Sequence, residues 1–140
     1  MADEVDIRAG AALLIGIGRY QHADRIAPLP FAVRDAEALA GHLVNPEIGR
    51  FAAESVVVLT TETARRDEVV RRLSRWLPEA ARGAEIALVY FAGHGMVRRV
   101  GPREEGYLLP FDADPEDLLT RLSLPNRLYR RSGWFVAVTR

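Results

Sequence analysis

"ALVYFAGHG", residues 87–95, is an apolar run that stops at a histidine held between two glycines. A short stretch without charge, rich in β-forming side chains, predicts a buried strand over residues 86–91. In open α/β sheets, functional groups gather beyond the carboxyl ends of the strands. His94 would stand there. Histidine suits proton transfer near neutral pH, and flanking glycines let a substrate come close to the backbone. A structural turn histidine fits the same spacing, because loops tolerate His and Gly freely. The run alone leaves both readings open.

The surrounding sequence supplies the rest of such a sheet. "AALLIGI", residues 11–17, is a continuous apolar run bounded by glycines, as expected of a strand covered on both faces. After a loop with Pro28 and Pro30, Phe31, Ala32, Ala36, Leu39, Ala40 and Leu43 recur at helical spacing, and Asn45-Pro46 stops the pattern. This predicts a helix over 31–43. "SVVVLT", residues 55–60, is β-branched and short, a second strand. Thr63 is placed to cap a helix over 64–81 with an inner stripe of Val69, Val70, Leu73, Trp76 and Leu77. Arg65, Arg66, Arg71, Arg72 and Arg75 fall mostly on its other faces and read as a solvated surface. "GYLLP", residues 106–110, is a short extended piece after a Gly-Pro turn, and "GWFVAV" allows a further strand at 134–138. Alternating strands and helices of this kind define a parallel α/β sheet with right-handed crossovers.

Composition excludes several classes. A chain of 140 residues with 49% apolar side chains suits one domain with a real core. Nineteen basic and nineteen acidic residues cancel, so no global field draws it to nucleic acid or anionic lipid. No run approaches the length of a membrane span, and "MADEVDIRAG" lacks the basic start and apolar centre of a signal peptide; a cytoplasmic protein is expected. There is no cysteine, which removes disulfides, thiolate metal sites and any cysteine nucleophile carried by these residues.

Other chemistries fail on their spacing. His22 and His42 form no metal-ligand pair with His94, and Ser55, Ser74, Ser123 and Ser132 lie in no GxSxG context. "GIGRYQ" has Gln21 where a dinucleotide fingerprint needs its third glycine. "DADPED", residues 112–117, has Asp117 and Ser123 where a calcium loop needs glycine and glutamate.

Four segments nonetheless occur together in a telling order: "ALLIGIGRY", "LPFAVRDAEALAGHL", "ALVYFAGHG" and "GYLLPFDAD". This order resembles the caspase-like cysteine peptidases, most of all their prokaryotic and metacaspase-like branch, over about residues 10–124. The resemblance implies a caspase-like three-layer α/β fold, a mainly parallel sheet flanked by helices, incomplete at the C-terminus. Residues 1–9 form an N-terminal tail in this division, and 125–140 a divergent or truncated segment. By the same resemblance His94 is the acid and base of a cysteine–histidine dyad, and the Gly95 N–H helps hold the oxyanion. Asp35 would line the pocket for the residue before the cut and select arginine or lysine. At helical spacing Asp35 falls between Phe31 and Leu39, which predicts that it points along the buried stripe. Ala92 stands where some metacaspases have a serine beside that pocket.

The nucleophile is the gap in this pattern. Caspases place it about 50 residues after the histidine, which predicts a cysteine near residue ~144. The expectation is therefore a chain truncated before its cysteine, whose partners are a peptide or protein substrate and a C-terminal half or second chain that completes the sheet. The alternative is a non-catalytic interaction module with the same fold. In metacaspase-like relatives acids after the "LLP" segment can join a calcium site, which here points to Asp112, Asp114 and Asp117. A solvated turn before a helix, where acids are common, is the preferred explanation, so no metal and no other cofactor is expected.

Overall fold

The computed structural model describes residues 10–117, together with the backbone of two strands at 122–123 and 134–139. The tail over 1–9, and 125–133 of the divergent segment, lie outside the described residues. Two sheets are present. The first is parallel, in the order β2-β1-β3-β7: β1 is Ala11–Gly16, β2 Val56–Thr60, β3 Ala87–Ala92 and β7 Trp134–Thr139. The second is a small antiparallel sheet of β4 (Gly95–Val100), β5 (Arg103–Leu108) and β6 (Leu122–Ser123). All three strands expected from the sequence fall within a residue or two of their places. Strand β7 pairs in parallel with β3.

Strand β1 is central because every one of its residues can be buried. Its six positions are all covered, and its alternating side chains feed different cores. Leu13 and Ile15 join Leu59, Val69 and Phe91 on one face. Ala12 and Leu14 join Ala36 and Phe51 on the other, with Leu39, Ala40 and Leu43 against them. The helix α1 (Ala32–Val44) covers this second face. The first is covered by a helical rod built from α2 (Arg66–Arg71), a π-helical stretch at Arg72–Trp76 and α3 (Leu77–Ala80). The connections β1–β2 and β2–β3 run in opposite directions across the sheet. Right-handed crossovers then put their helices on opposite faces.

Three details differ from the expectation. The second helix is not regular, because Pro78 has no N–H for the Ser74 carbonyl; the wider π turn just before it absorbs the missing bond. Its start is capped by Asp112, whose Oδ1 accepts from the Arg66 N–H at 2.8 Å. Thr63 instead closes a 3-10 turn at Thr61–Thr63 by bonding both backbone groups of Thr60. Within the stripes Phe31 and Val70 are exposed, at 64% and 38%, while the other named positions pack inward. Phe31 is the residue before the helix rather than its first turn, so helical periodicity did not govern it.

Small residues let α1 lie close on β1. A Cβ at Gly16 would stand 2.5 Å from the Ala32 carbonyl oxygen and 2.9 Å from the Ala36 Cβ. Gly41, on the same helix, has nothing within 4 Å of such an atom. Gly16→Val should therefore destabilise the fold by about 1–3 kcal/mol, the usual cost of overpacking. Gly41→Ala should stabilise it by about 0.5–1 kcal/mol through helix propensity. Urea unfolding of the two variants checks both signs.

Candidate active site

The site lies where the sheet order 2-1-3 opens a crevice, at the carboxyl ends of β1 and β3, whose following chains part in opposite directions. From β3 the chain passes Gly93 and His94 and turns at once into β4. From β1 it enters a loop over residues 17–31 that folds back over the same end. Ile17 N–H donates to the Ala92 carbonyl, Leu29 N–H to that of Gly18, and Gln21 N–H to that of Phe111.

His94 is half-buried, neither sealed in the core nor free in solvent. Its Nε2 lies 2.8 Å from the Ala27 carbonyl oxygen. A carbonyl oxygen only accepts, so the ring nitrogen facing it carries the proton and Nδ1 of the neutral imidazole keeps its lone pair. That arrangement leaves one ring nitrogen able to take and return a proton. The turn histidine expected from the sequence is thus oriented by backbone and still accessible.

Its main chain is held by Tyr20. The His94 N–H donates to the Tyr20 hydroxyl at 2.7 Å, and that hydroxyl donates to the Leu109 carbonyl at 3.1 Å. Leu109 N–H in turn donates to the His94 carbonyl at 2.9 Å. The phenol is 1% exposed, and its ring lies 5.5 Å from the imidazole, tilted by 53°. A Cβ at Gly93 would meet the hydroxyl at 2.8 Å, so the first glycine of GHG makes room for this contact.

Gly95 opens β4 opposite Leu108. The Leu109–His94 bond makes 94·109 a hydrogen-bonded rung, and antiparallel rungs alternate. Gly95 therefore belongs to a non-bonded rung, with its N–H turned away from β5. Gly95 itself is exposed.

Asp35 is a correction. It does not follow the buried stripe but is exposed, because Ala32 and Ala36 already take the positions that face β1. It still reaches a site: a pocket of about 220 Å³ is lined by Leu29, Pro30, Phe31, Ala32, Asp35, Ala92 and Gly93. The pocket ends at the residue before His94. A larger hollow of about 370 Å³, beside Val44, Pro46, Arg50 and Phe51, touches none of these groups.

Asp112 and Asp114, two of the acids after "LLP", have partners of other kinds. Asp112 caps α2, Asp114 accepts from the Glu116 N–H at 2.9 Å and lies 3.7 Å from Arg25, and Arg25 also pairs with Glu116 at 3.0 Å. No group of three or more His, Asp or Glu is gathered as for a metal ion among the described residues. Nor, among them, is any helix long and apolar enough to cross a membrane.

Tyr20 and the Ala27 carbonyl escaped the sequence reading. An aromatic residue just beyond a buried strand was a usable signal for the first; a backbone acceptor leaves none.

A parallel sheet with a histidine turn at the crevice of its central strands, followed by a small antiparallel sheet, is an open α/β architecture with its candidate site at the strand ends. The caspase domain family model matches residues 9–131, and the chain belongs to that family. No curated protein matches it.

Two measurements follow from this geometry. Burial pushes the Tyr20 phenol up to about 12 from 10.0, with the His94 N–H opposing that rise. The folded state thus resists forming the phenolate, and stability present below pH ~10 should be lost as pH rises from about 10 to about 12. Ultraviolet titration should find a late-titrating tyrosine that is lost in Tyr20→Phe. Separately, Asp112→Ala should cost about 0.5–2 kcal/mol as a lost helix cap, equally with calcium and with chelator. Thermal unfolding under both conditions checks it.

Proposed function

We propose that the chain is the histidine-bearing part of a caspase-like cysteine endopeptidase that cuts after basic residues. One observation carries the reading: β7 runs parallel to β3 with Thr139 beside Ala92, two residues from His94. Polypeptide continuing from that strand end emerges next to the imidazole, and a second chain could enter there. A cysteine so placed would lose its proton to His94 Nδ1, and its sulfur would bond the scissile carbonyl carbon. The tetrahedral oxyanion is held by the Gly95 N–H. Collapse breaks the C–N bond as the imidazolium returns its proton to the leaving amine, and water then hydrolyses the thioester.

The specificity part of the reading rests on Asp35. Among the described residues it is the single acid in a pocket otherwise lined by apolar side chains and glycine, immediately before His94. A guanidinium or ammonium group is the complement of such a pocket. The partners are then a peptide or protein substrate and the polypeptide that supplies the thiol, in the cytoplasm and without nucleic acid or membrane. A non-catalytic interaction module is the second reading, favoured by the lack of any cysteine among the 140 residues.

The 140-residue chain alone should hydrolyse no peptide amide above buffer. Joined to a cysteine-bearing C-terminal half, it should cleave a mixed peptide library after Arg and Lys. Asp35→Ala should reduce that preference by roughly 10- to 100-fold, the worth of a hydrogen bond to a charged group. His94→Ala should lower kcat by about 10²–10⁴-fold. Cleavage after aspartate, or an unchanged basic preference in the Asp35 variant, would overturn the specificity assignment. An inert completed protein would favour the interaction module.

A further inference from the structure

We propose that Tyr20 is a positioning residue for His94, its hydroxyl standing in the first rung of the β4–β5 ladder. The inference rests on the reading of His94 as the proton carrier, but its evidence is the ladder itself. In an antiparallel hydrogen-bonded rung, two residues exchange both N–H···O=C bonds. Between His94 and Leu109 one of these is present, the Leu109 N–H to the His94 carbonyl at 2.9 Å. The other is replaced by a relay. His94 N–H donates to the Tyr20 oxygen at 2.7 Å, and the Tyr20 hydroxyl donates to the Leu109 carbonyl at 3.1 Å.

An oxygen atom between donor and acceptor holds the two strands apart on that side. The hairpin is thus wedged open at the residue that bears the imidazole. Two features support a role beyond filling space. The wedge needs Gly93, since a Cβ there would lie 2.8 Å from the hydroxyl. The loop that delivers Tyr20 also delivers the Ala27 carbonyl to Nε2. One loop therefore grips His94 twice, by its main chain and by its ring, and the two grips must agree for Nδ1 to remain the free nitrogen.

Removing the hydroxyl should let the rung close directly, drawing the His94 N–H to the Leu109 carbonyl. The imidazole would then shift off Ala27. The measurement is nitrogen NMR of the full chain with ¹⁵N-histidine, at a pH where the imidazoles are neutral, with His22 and His42 as internal references. Wild type should show His94 protonated on Nε2. In Tyr20→Phe the ratio of the two tautomers should move toward equality by roughly two- to tenfold, the net worth of one hydrogen bond. His22 and His42 should keep their shifts. An unchanged His94 tautomer and amide shift in a folded variant would overturn the proposal.

If Tyr20→Phe does not fold, the wild-type chain decides. A slowly exchanging His94 amide with a cross-relaxation peak to the Tyr20 hydroxyl proton supports the wedge, and a freely exchanging amide without that peak refutes it. Neither readout needs a thiol or a substrate. Failure of the positioning role is thereby separable from failure of the peptidase reading.

Discussion

A strand with neighbours on both edges and helices on both faces has only its ends left to offer, and β1 is such a strand. The rest of the molecule follows from that constraint. Its neighbours run in the same direction, so the carboxyl ends of β1, β2, β3 and β7 converge on one side. The chain leaving β1 and the chain leaving β3 supply the groups gathered there: Tyr20 and the Ala27 carbonyl from one, Gly93 and His94 from the other. Gly16 lets α1 sit against β1 without a spacer, which brings the first turn of that helix, and Asp35 with it, to the same crevice.

Much of the site is made of backbone. The imidazole is oriented by a carbonyl, the pocket wall includes glycine, and the Gly95 N–H is directed by ladder alternation rather than by a side chain. Backbone groups are hard to misplace once the strands are in register. The exception is the turn itself, where the β4–β5 ladder begins. A buried tyrosine reaching from another element supplies a restraint there.

The same division explains what could be read from the sequence. Strands β1, β2 and β3 and helix α1 were legible because burial on two faces or one stripe writes itself as apolar runs or helical spacing. His94 was legible because a histidine between glycines after such a run is rare enough to ask about. The β4–β5 hairpin was not, since Val97 is exposed and much of the pairing joins charges, Arg98 with Glu105 and Arg99 with Glu104. Such a pairing carries no alternation of apolar and polar residues. Asp35 was misplaced by periodicity. Helical spacing gives an angle around the axis, and the buried arc of α1 is narrower than the apolar stripe suggests, ending at Ala32 and Ala36. Asp112 was weighed only as a metal ligand or a solvated turn. Its true partner, the start of α2, lies 46 positions away in sequence.

The exposure of Asp35 limits what this chain can do by itself. An ion pair between exposed groups is worth about 0–1 kcal/mol, too little to enforce a choice between basic and neutral side chains. Selection at that pocket requires that water be kept from the carboxylate once a substrate has entered. The walls present are Leu29, Pro30, Phe31, Ala32, Ala92 and Gly93, and Phe31 is itself largely in solvent. On the proposed reading, a further wall would come from polypeptide outside these elements. If that polypeptide is also the one that brings the thiol to His94, a single assembly event completes both the pocket and the dyad. On the proposed reading, specificity and chemistry would then appear together.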